Sequence, residues 1–324
     1  MKKIWSCAAA IMAALIGAPS SHAAEFPDKP VKMIVGFVPG GGSDISARIL
    51  ADILAKEIGQ SVVVENKPGA SSTLAVDFVS KSQPNGYTVL HTNSDGITLL
   101  PALKSTIPYS VPNDFSYISR VLQLPLAITV NKDLPVNSIA ELVEYARKNP
   151  GKVHYGSSGI GSGPHMAALL LAKQAGIKMV HVPYKGSGGA INDLLGGHLQ
   201  MALPAVQAVA GHAGNAMVKV LAVTGPKRDP LLPDVPTIAE AGYPDAQMVI
   251  WYGLMGPPNL PANVLKTLQD KTVAALTSAD GKERYKAAGF ETDPLVGDDF
   301  KKFVEKEFET WKSLAAQENL SLPD

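Results

Sequence analysis

The chain has 324 residues with 29 basic and 29 acidic side chains, so its formal net charge at pH 7 is zero. This balance offers no basic patch for nucleic acid, and the length suggests two domains rather than one. Aromatic residues make up only 6% of the chain, which also contains 29 glycines and 25 prolines. Such a composition predicts many short connections between strands and helices.

The N-terminus has the pattern of a signal peptide. Lys2 and Lys3 precede an apolar run at residues 4–16, which is too short to span a membrane. We expect residues 1–23 to be removed after Ala23, with Ala24 as the alternative cleavage position, and the mature protein to be periplasmic. A retained membrane anchor is the other interpretation. Cleavage would also remove Cys7, the only cysteine, so the exported chain would have no disulfide and no thiol chemistry.

The first part of the chain alternates strands and helices. The hydrophobic pattern predicts strands at residues 31–37, 62–65 and 87–92 and helices at 43–58 and 74–82. This βαβαβ order is typical of a parallel sheet covered by helices. Residues 101–112 are rich in proline and are expected to be irregular.

An extended stretch at residues 115–131 is expected to cross into a second domain, and another at 246–255 to return. Between them the pattern predicts a helix at 139–148, with a capping box formed by Ser138 and Glu141, and further elements. These are strands at 153–156, 179–183, 199–203 and 218–223 and helices at 164–175 and 190–195. Helices at 262–277, 282–288 and 299–317 end the chain. We therefore assign residues 24–125 and 251–324 to domain 1 and residues 126–250 to domain 2, with a cleft between them.

Three predicted strands are followed by loops of glycine and serine, at residues 39–44, 157–163 and 185–189. The first loop leads into a helix, whose N-terminal N–H groups and dipole favour an anion such as a carboxylate or phosphate. The alternative is an ordinary tight turn with Ser43 or Asp44 as the N-cap. Because ligands bind at the carboxyl ends of strands in open α/β sheets, three such loops favour an anion site in the cleft.

The known catalytic and cofactor motifs are absent from the sequence. The loops match neither a dinucleotide fingerprint nor a P-loop, and there is no esterase Gly-x-Ser-x-Gly. The histidines lack metal-site spacing, so we expect no metal and no cofactor. Ser157, Ser158 and Ser162 have no general base at a recognisable spacing, and we interpret them as hydrogen-bond donors.

Several candidate residues have two interpretations. His165 is expected either to donate to a ligand carboxylate or to pack within its own loop. Asp44 is expected to orient the first loop, or to meet an amine or hydroxyl of the ligand. Trp251 and Tyr252 lie on the second crossing, where an aromatic ring either walls the cleft or packs in the core.

Six segments resemble the signature segments of the Bug (TctC-like) receptors, which are periplasmic solute-binding proteins. The segments are Pro39-Gly-Gly-Gly-Ser-Asp44, Glu65-Asn-Lys-Pro-Gly-Ala70, Asn85-Gly-Tyr-Thr88, Ser157-Ser-Gly-Ile-Gly-Ser162 followed by His165, His181-Val-Pro-Tyr-Lys-Gly186 and Leu232-Pro-Asp-Val-Pro-Thr-Ile-Ala-Glu-Ala-Gly242. The resemblance runs from about Phe26 to the C-terminus.

This resemblance implies an α/β fold of two domains, that of a type II-like periplasmic binding protein. Mixed sheets flanked by helices would enclose a ligand cleft and be joined by two crossing strands. The implied function is capture of a small carboxylate by domain closure and its delivery to the membrane subunits of a tripartite tricarboxylate transporter. The resemblance implies a monomer that is not an enzyme.

The resemblance also implies which residues bind the ligand. One ligand carboxylate would be held by the first two loops, at Gly41, Gly42, Ser43, Asp44, Ser157, Ser158, Gly159, Ser162 and His165. The variable end of the ligand would contact Phe37, Ser94, Pro204, Ala205 and Trp251.

The chain departs from the family pattern at two places. Ser71 and Ser72 stand where many members have glycine, and residues 203–206 are apolar where many members have a polar or acidic group. The second departure argues against an amino-acid ligand and favours an aromatic carboxylate or a dicarboxylate. Two other functions stay open at this point: a sensor subunit that presents the solute to a receptor kinase, and a periplasmic hydrolase that uses a loop serine.

Overall fold

The structure is a computed structural model that describes residues 26–104, 106–214, 216–317 and 321. The predicted signal peptide lies outside these residues. The strands are β1 (Val31–Val35), β2 (Val62–Asn66), β3 (Thr88–Asn93), β4 (Ser116–Pro125), β5 (Ala127–Asn131), β6 (His154–Ser157), β7 (Val180–Pro183), β8 (Met201–Ala202), β9 (Val218–Val223), β10 (Val249–Gly256) and β11 (Thr292–Val296). The helices are α1 (Gly42–Ile58), α2 (Thr73–Ser80), α3 (Leu100–Leu103), α4 (Ile139–Lys148), α5 (Gly163–Ala175), α6 (Ser187–Leu195), α7 (Ala210–Gly214), α8 (Ala262–Thr277), α9 (Ala279–Ala287) and α10 (Gly297–Gln317).

The strands form two mixed sheets, and each sheet with its helices is called a lobe below. The first lobe contains a six-stranded sheet in the order β11-β4-β10-β3-β1-β2, and the second a five-stranded sheet in the order β7-β6-β8-β5-β9. Strands β2, β1 and β3 run parallel, as the βαβαβ pattern predicts. Strand β10 is inserted antiparallel between β3 and β4, which makes the sheet mixed.

Local sequence signals explain where the main helices begin and end. In α1 the buried face contains Ala47, Leu50 and Leu54, and the helix ends at Gly59, whose φ of 68° is a left-handed C-cap. In α4 the Ser138 hydroxyl caps the N-terminus by accepting a hydrogen bond from the Glu141 N–H. The two helices therefore confirm the predicted elements at 43–58 and 139–148.

The two predicted crossings are confirmed. Only Leu126 separates β4 in the first sheet from β5 in the second, and β10 returns the chain to the first sheet. The two crossings meet at Thr224, which is 1% exposed. Its Oγ1 accepts a hydrogen bond from the Leu126 N–H (2.9 Å) and donates one to the Met248 carbonyl (2.6 Å). These contacts join the two connections between the lobes at one point.

The sequence analysis did not predict helices α3 and α7, a π-helical turn or strand β11. Directly after β3 the chain forms a π-helical turn, Asp95–Leu99, that continues into α3, so Pro101 lies inside a helix rather than in an irregular segment. Strand β11 was missed because Pro294 interrupts its pattern; the strand lies at the edge of the sheet, and Pro294 falls at the irregularity between Thr292 and Leu295, where proline is tolerated. Among the described residues no helix is both long enough and apolar enough to cross a membrane.

Candidate functional site

A cavity of about 340 Å³ lies between the two lobes. All three glycine–serine loops reach its wall, through residues 37–43 in the first lobe and through Ser158 and residues 184–189 in the second. The predicted meeting of these loops at one place is therefore confirmed. The cavity lies at the lower end of the range for small-molecule sites, about 300–1,000 Å³, so it suits a small solute.

The N-terminus of α1 opens into this cavity. Gly41 is the N-cap and makes no side-chain capping bond, and the first N–H groups of a helix have no carbonyl one turn earlier to receive them. Ser43, in the first turn, is 5% exposed, and its hydroxyl has no hydrogen-bond partner among the residues that the structure describes. Unpaired N–H groups and a buried free hydroxyl at a helix N-terminus form a site for an anion.

Asp44 holds the first loop in shape. Its Oδ2 accepts hydrogen bonds from the Gly40 N–H (2.9 Å) and from Arg48 (2.9 Å), and its Oδ1 accepts one from Asn66 (2.9 Å). Burial raises the pKa of this carboxyl, but the hydrogen bonds from Arg48, Gly40 and Asn66 outweigh it and hold the pKa below its usual value. Asp44 is thus an ionised loop anchor, the first of its two predicted roles, and it does not line the cavity.

Tyr252 and Gln207 face the N-terminus of α1. A Cβ placed on Gly42 would lie 2.9 Å from the Tyr252 Oη and 4.0 Å from the Gln207 Nε2. Burial and the nearby Asp95 raise the pKa of the Tyr252 hydroxyl, so it keeps its proton and can donate. The space in front of Gly42 is therefore surrounded by hydrogen-bond donors from both lobes.

Most polar groups of the second loop form hydrogen bonds within that loop. The Gly159 carbonyl accepts hydrogen bonds from the Ser157 and Ser162 hydroxyls, and the Gly161 N–H donates to the His165 Nδ1 (3.0 Å). The structure therefore places Ser157, Ser162 and His165, together with Gly159, behind the cavity wall, and only Ser158 of this loop's predicted residues faces the cavity. For His165 this geometry corresponds to packing within the loop.

Two histidines stack beneath the second loop. The rings of His165 and His181 lie 3.9 Å apart and nearly parallel. Burial lowers the pKa of His165 to about 3, with a further contribution from His181, and burial lowers the pKa of His181 to about 4. Both rings are therefore neutral near pH 7 and add no positive charge to the site.

The structure brings a histidine beside Ser157, although no base stands at a recognisable spacing in the sequence. The His181 Nε2 lies 2.6 Å from the Ser157 Oγ, because β6 and β7 are neighbouring parallel strands. Sequence spacing alone could not reveal this contact across 24 residues. However, the Ser157 hydroxyl also donates to the Gly159 carbonyl within its own loop, and the serine is only 1% exposed. The pair is a structural support for the loop rather than an activated nucleophile.

Two of the residues that were expected to contact the variable end of the ligand lie in the protein core. Trp251 is fully buried, packs edge-on against Phe300 at a ring distance of 5.4 Å, and donates its indole N–H to Glu307 (2.5 Å). Ser94 is also fully buried, and neither residue lines the cavity. Phe37, Pro204 and Ala205, in contrast, do line it and form an apolar wall.

The sequence analysis missed Asn93 and Asp95, which line the cavity at the end of β3. Asp95 is 2% exposed, and its Oδ1 accepts a hydrogen bond from the Gly163 N–H of the second lobe (2.9 Å). Burial raises the pKa of Asp95 to about 6, although the Gly163 N–H acts in the opposite direction. The rule that sites gather at the carboxyl ends of strands, applied to β3, could have found both residues.

Two other features of the described residues give less support to a binding site. No group of three or more His, Cys, Asp or Glu side chains in those residues could hold a metal ion. A larger hollow of about 730 Å³ lies beside β9, but its Lys219 ammonium already donates to the Leu134 carbonyl. We therefore regard the cavity between the lobes as the candidate binding site.

Two α/β lobes that are joined by crossing strands and enclose a cavity define the class of periplasmic binding proteins. Residues 46–320 match the TctC family, described as the tripartite tricarboxylate transporter family receptor. The chain belongs to this family of solute receptors, which are not enzymes.

Known proteins similar to this chain agree with that assignment. The protein BugT of Bordetella pertussis is 33% identical over 317 residues, which cover 96% of each chain. The structure of the periplasmic binding protein BugD superposes with a TM-score of 0.86 at 33% identity, over 91% of this chain and 99% of BugD.

Two similar structures contain a ligand. Rpa4515 of R. palustris with adipate has a TM-score of 0.86 and 32% identity, over 91% of this chain and 99% of that one. MatC (Rpa3494) of Rhodopseudomonas palustris with bound malate has a TM-score of 0.82 and 27% identity, over 89% of this chain and 99% of that one.

Proposed function

We propose that this protein is a periplasmic receptor that captures a small carboxylate between its lobes and delivers it to a tripartite tricarboxylate-type transporter. The observation that carries the proposal is the N-terminus of α1, which opens into the cavity with the buried Ser43 hydroxyl unpaired. One ligand carboxylate would accept hydrogen bonds from this helix end, from Tyr252 and from Ser158.

A dicarboxylate is the favoured solute class. Adipate and malate, which are bound by two similar proteins, both have two carboxylates. In this chain the start of α6 also lines the cavity, with Ser187 and the exposed Lys185 two residues before it. A second carboxylate directed toward the start of α6 would meet donors and a positive charge.

An aromatic carboxylate is the second candidate. Phe37, Leu126, Pro204 and Ala205 form the apolar part of the cavity wall, against which a flat ring could pack. The apolar segment 203–206 argues against an amino acid. Asp95 is an acidic group in the same cavity, however, so amino acids belong in the test.

The family description supports a transporter as the membrane partner, and we propose that the mature receptor is a periplasmic monomer cleaved after Ala23. Closure of the lobes would exclude water from the captured solute and strengthen the hydrogen bonds around its carboxylate. A pull-down of membrane proteins by the solute-loaded receptor would distinguish a transporter subunit from a receptor kinase.

A thermal-shift panel tests the proposal. The panel contains adipate, malate, benzoate, citrate, aspartate, glutamate, inorganic phosphate and the amides of the tested acids, and the protein is refolded from denaturant to remove any retained solute. A ligand at one hundred times its Kd stabilises the folded protein by about 2.7 kcal/mol. We expect one class of carboxylate to raise the melting temperature while its amides do not. Equal shifts by an acid and its amide, or shifts by phosphate alone, would contradict carboxylate capture.

A further inference from the structure

Two hydrogen bonds join the first lobe directly to the second loop of the other lobe. The Ser71 hydroxyl donates to the Ile160 carbonyl at 2.7 Å, across 89 positions of sequence. The Gly163 N–H donates to the Asp95 Oδ1 at 2.9 Å, three residues further along the same loop. Both contacts can exist only while the lobes are together.

The turn that presents Ser71 has an unusual backbone. Ala70, Ser71 and Ser72 have φ values of 46°, 49° and 79°, so three consecutive residues with a Cβ adopt the left-handed conformation. This conformation is unfavourable for L residues other than glycine and persists only where surrounding structure enforces it. The turn therefore needs a structural or functional reason.

Packing beneath the turn enforces this conformation. A Cβ placed on Gly36 would lie 2.0 Å from the Ser72 Oγ, and one placed on Gly96 would lie 3.1 Å from the Ser72 Cβ. Ser72 thus packs against Gly36 and Gly96, and a side chain on either glycine would press on it. With Ser72 held in this way, Ser71 points away from its own lobe toward the second lobe.

The opposite lobe is shaped to receive Ser71. A Cβ placed on Gly159 would lie 2.7 Å from the Ser71 Oγ, and Gly159 has a φ of 142°, which side chains rarely adopt. Any larger residue at this position would displace the serine. The two surfaces are therefore complementary, with a strained serine turn on one lobe and a glycine on the other.

We propose that Ser71 is a positioning residue for closure: its hydroxyl, together with Asp95, clasps the 157–163 loop to the first lobe and populates the closed form before solute arrives. Ser71 does not line the cavity, so it acts on the solute only through the lobes. The inference rests on the proposed function in one respect, since closure is the step by which the receptor would capture its solute. Asp95 lines the cavity as well, so Ser71 is the residue that separates closure from direct binding.

The test measures the distance between the lobes without solute. Spin labels are placed at Lys148→Cys on α4 and Asn263→Cys on α8, with Cys7→Ser so that only the two labels react; both labelled positions are exposed. Ser71→Ala removes only the hydroxyl. Ser71→Gly removes the hydroxyl and also relieves the backbone. Ser82→Ala is the matched control, because that hydroxyl donates to the Phe78 carbonyl within one lobe at 2.8 Å.

We expect the ratio of closed to open distances to fall about two- to tenfold in both Ser71 variants and to stay unchanged in Ser82→Ala, as for the loss of one hydrogen bond. We also expect Ser71→Gly to unfold at a higher temperature than Ser71→Ala, because glycine adopts a φ of 49° without strain. If Ser71 only stabilised its own turn, the more stable Ser71→Gly variant would keep the closed population of the wild type. Unchanged ratios in both Ser71 variants, or a wild type with no closed population, would overturn the clasp.

The same labelled proteins separate this inference from the proposed function. Adipate, malate and benzoate are added in turn, and the distances are measured again. If none of the panel acids changes the distances or the melting temperature, carboxylate capture fails, while the comparison without solute still decides the clasp.

Discussion

The substitution Gly42→Ala tests the carboxylate site most directly. Gly42 is the first residue of α1, and an added methyl group would lie 2.9 Å from the Tyr252 Oη. Real Cβ contacts are not that short, so the ring or the helix end must move. Tyr252 is 5% exposed and packs against His91 and Phe290, so it has little freedom to move.

The substitution should weaken binding, because the Tyr252 hydroxyl or the helix end must move. Overpacking costs about 1–3 kcal/mol, of which the higher helix propensity of alanine returns up to about 1 kcal/mol, so the unbound protein should fold but be no more stable than the wild type. A hydrogen bond to a charged group is worth about 1.5–3 kcal/mol, so loss of the Tyr252 contact should raise the Kd about 10- to 150-fold.

The assay is isothermal titration with the panel acid that stabilises the wild type most. Gly211→Ala is the matched control, since Gly211 lies on helix α7 and a Cβ there meets no atom within 4 Å. A folded Gly42→Ala protein that binds within about threefold of the wild type would refute the carboxylate site at α1, since this difference is below about 0.7 kcal/mol.

Three further predictions concern stability and are checked by urea unfolding. Thr224→Val removes the hydroxyl that joins the crossings and should lower the free energy of unfolding by about 1–3 kcal/mol; an unchanged value would mean that the contact is unimportant. Gly36→Ala should cost about 1–3 kcal/mol through overpacking against Ser72, and adding Ser72→Gly should recover part of the loss; additive losses would exclude that contact. Burial lowers the pKa of His91 to about 3 from 6.5, so below pH 6.5 the unfolded chain binds a proton that the native state does not. The free energy of unfolding therefore decreases as the pH is lowered from 6.5. His91→Gln removes this effect, so relative to the wild type it should gain about 2 kcal/mol between pH 7.5 and pH 5, and parallel pH profiles would refute the assignment.

The local elements of this fold follow from local sequence. Helices α1, α4 and α5 lie close to the predicted ranges, because the apolar period, the Ser138 cap and the glycines at helix ends act within a few residues. The parallel β2-β1-β3 unit follows from the same patterns. Strand β11 and the π-helical turn Asp95–Leu99 do not, because an edge strand with a proline and a turn after a buried strand have no local signature.

Part of the candidate site was likewise predictable from local sequence, and part was not. The sequence indicated the helix end at Gly41–Ser43 and the loops around it, since glycine between a strand and a helix has a local physical meaning. It could not show that Asp95 reaches the second lobe or that Trp251 turns away from the cavity. These outcomes depend on which residues on distant elements occupy neighbouring space.

By itself, the sequence determined that this chain forms two α/β units with glycine–serine loops at the ends of strands, because secondary structure and turn chemistry depend on residues a few positions apart. Only the tertiary structure decided which polar groups of the loops have hydrogen-bond partners within the protein. It paired Ser157 with His181, tied Asp95 to Gly163 and brought Ser71 to Ile160. The physical reason is that a hydrogen bond needs its two atoms within about 3 Å, and between residues tens of positions apart only the packing of the sheets and lobes sets that distance.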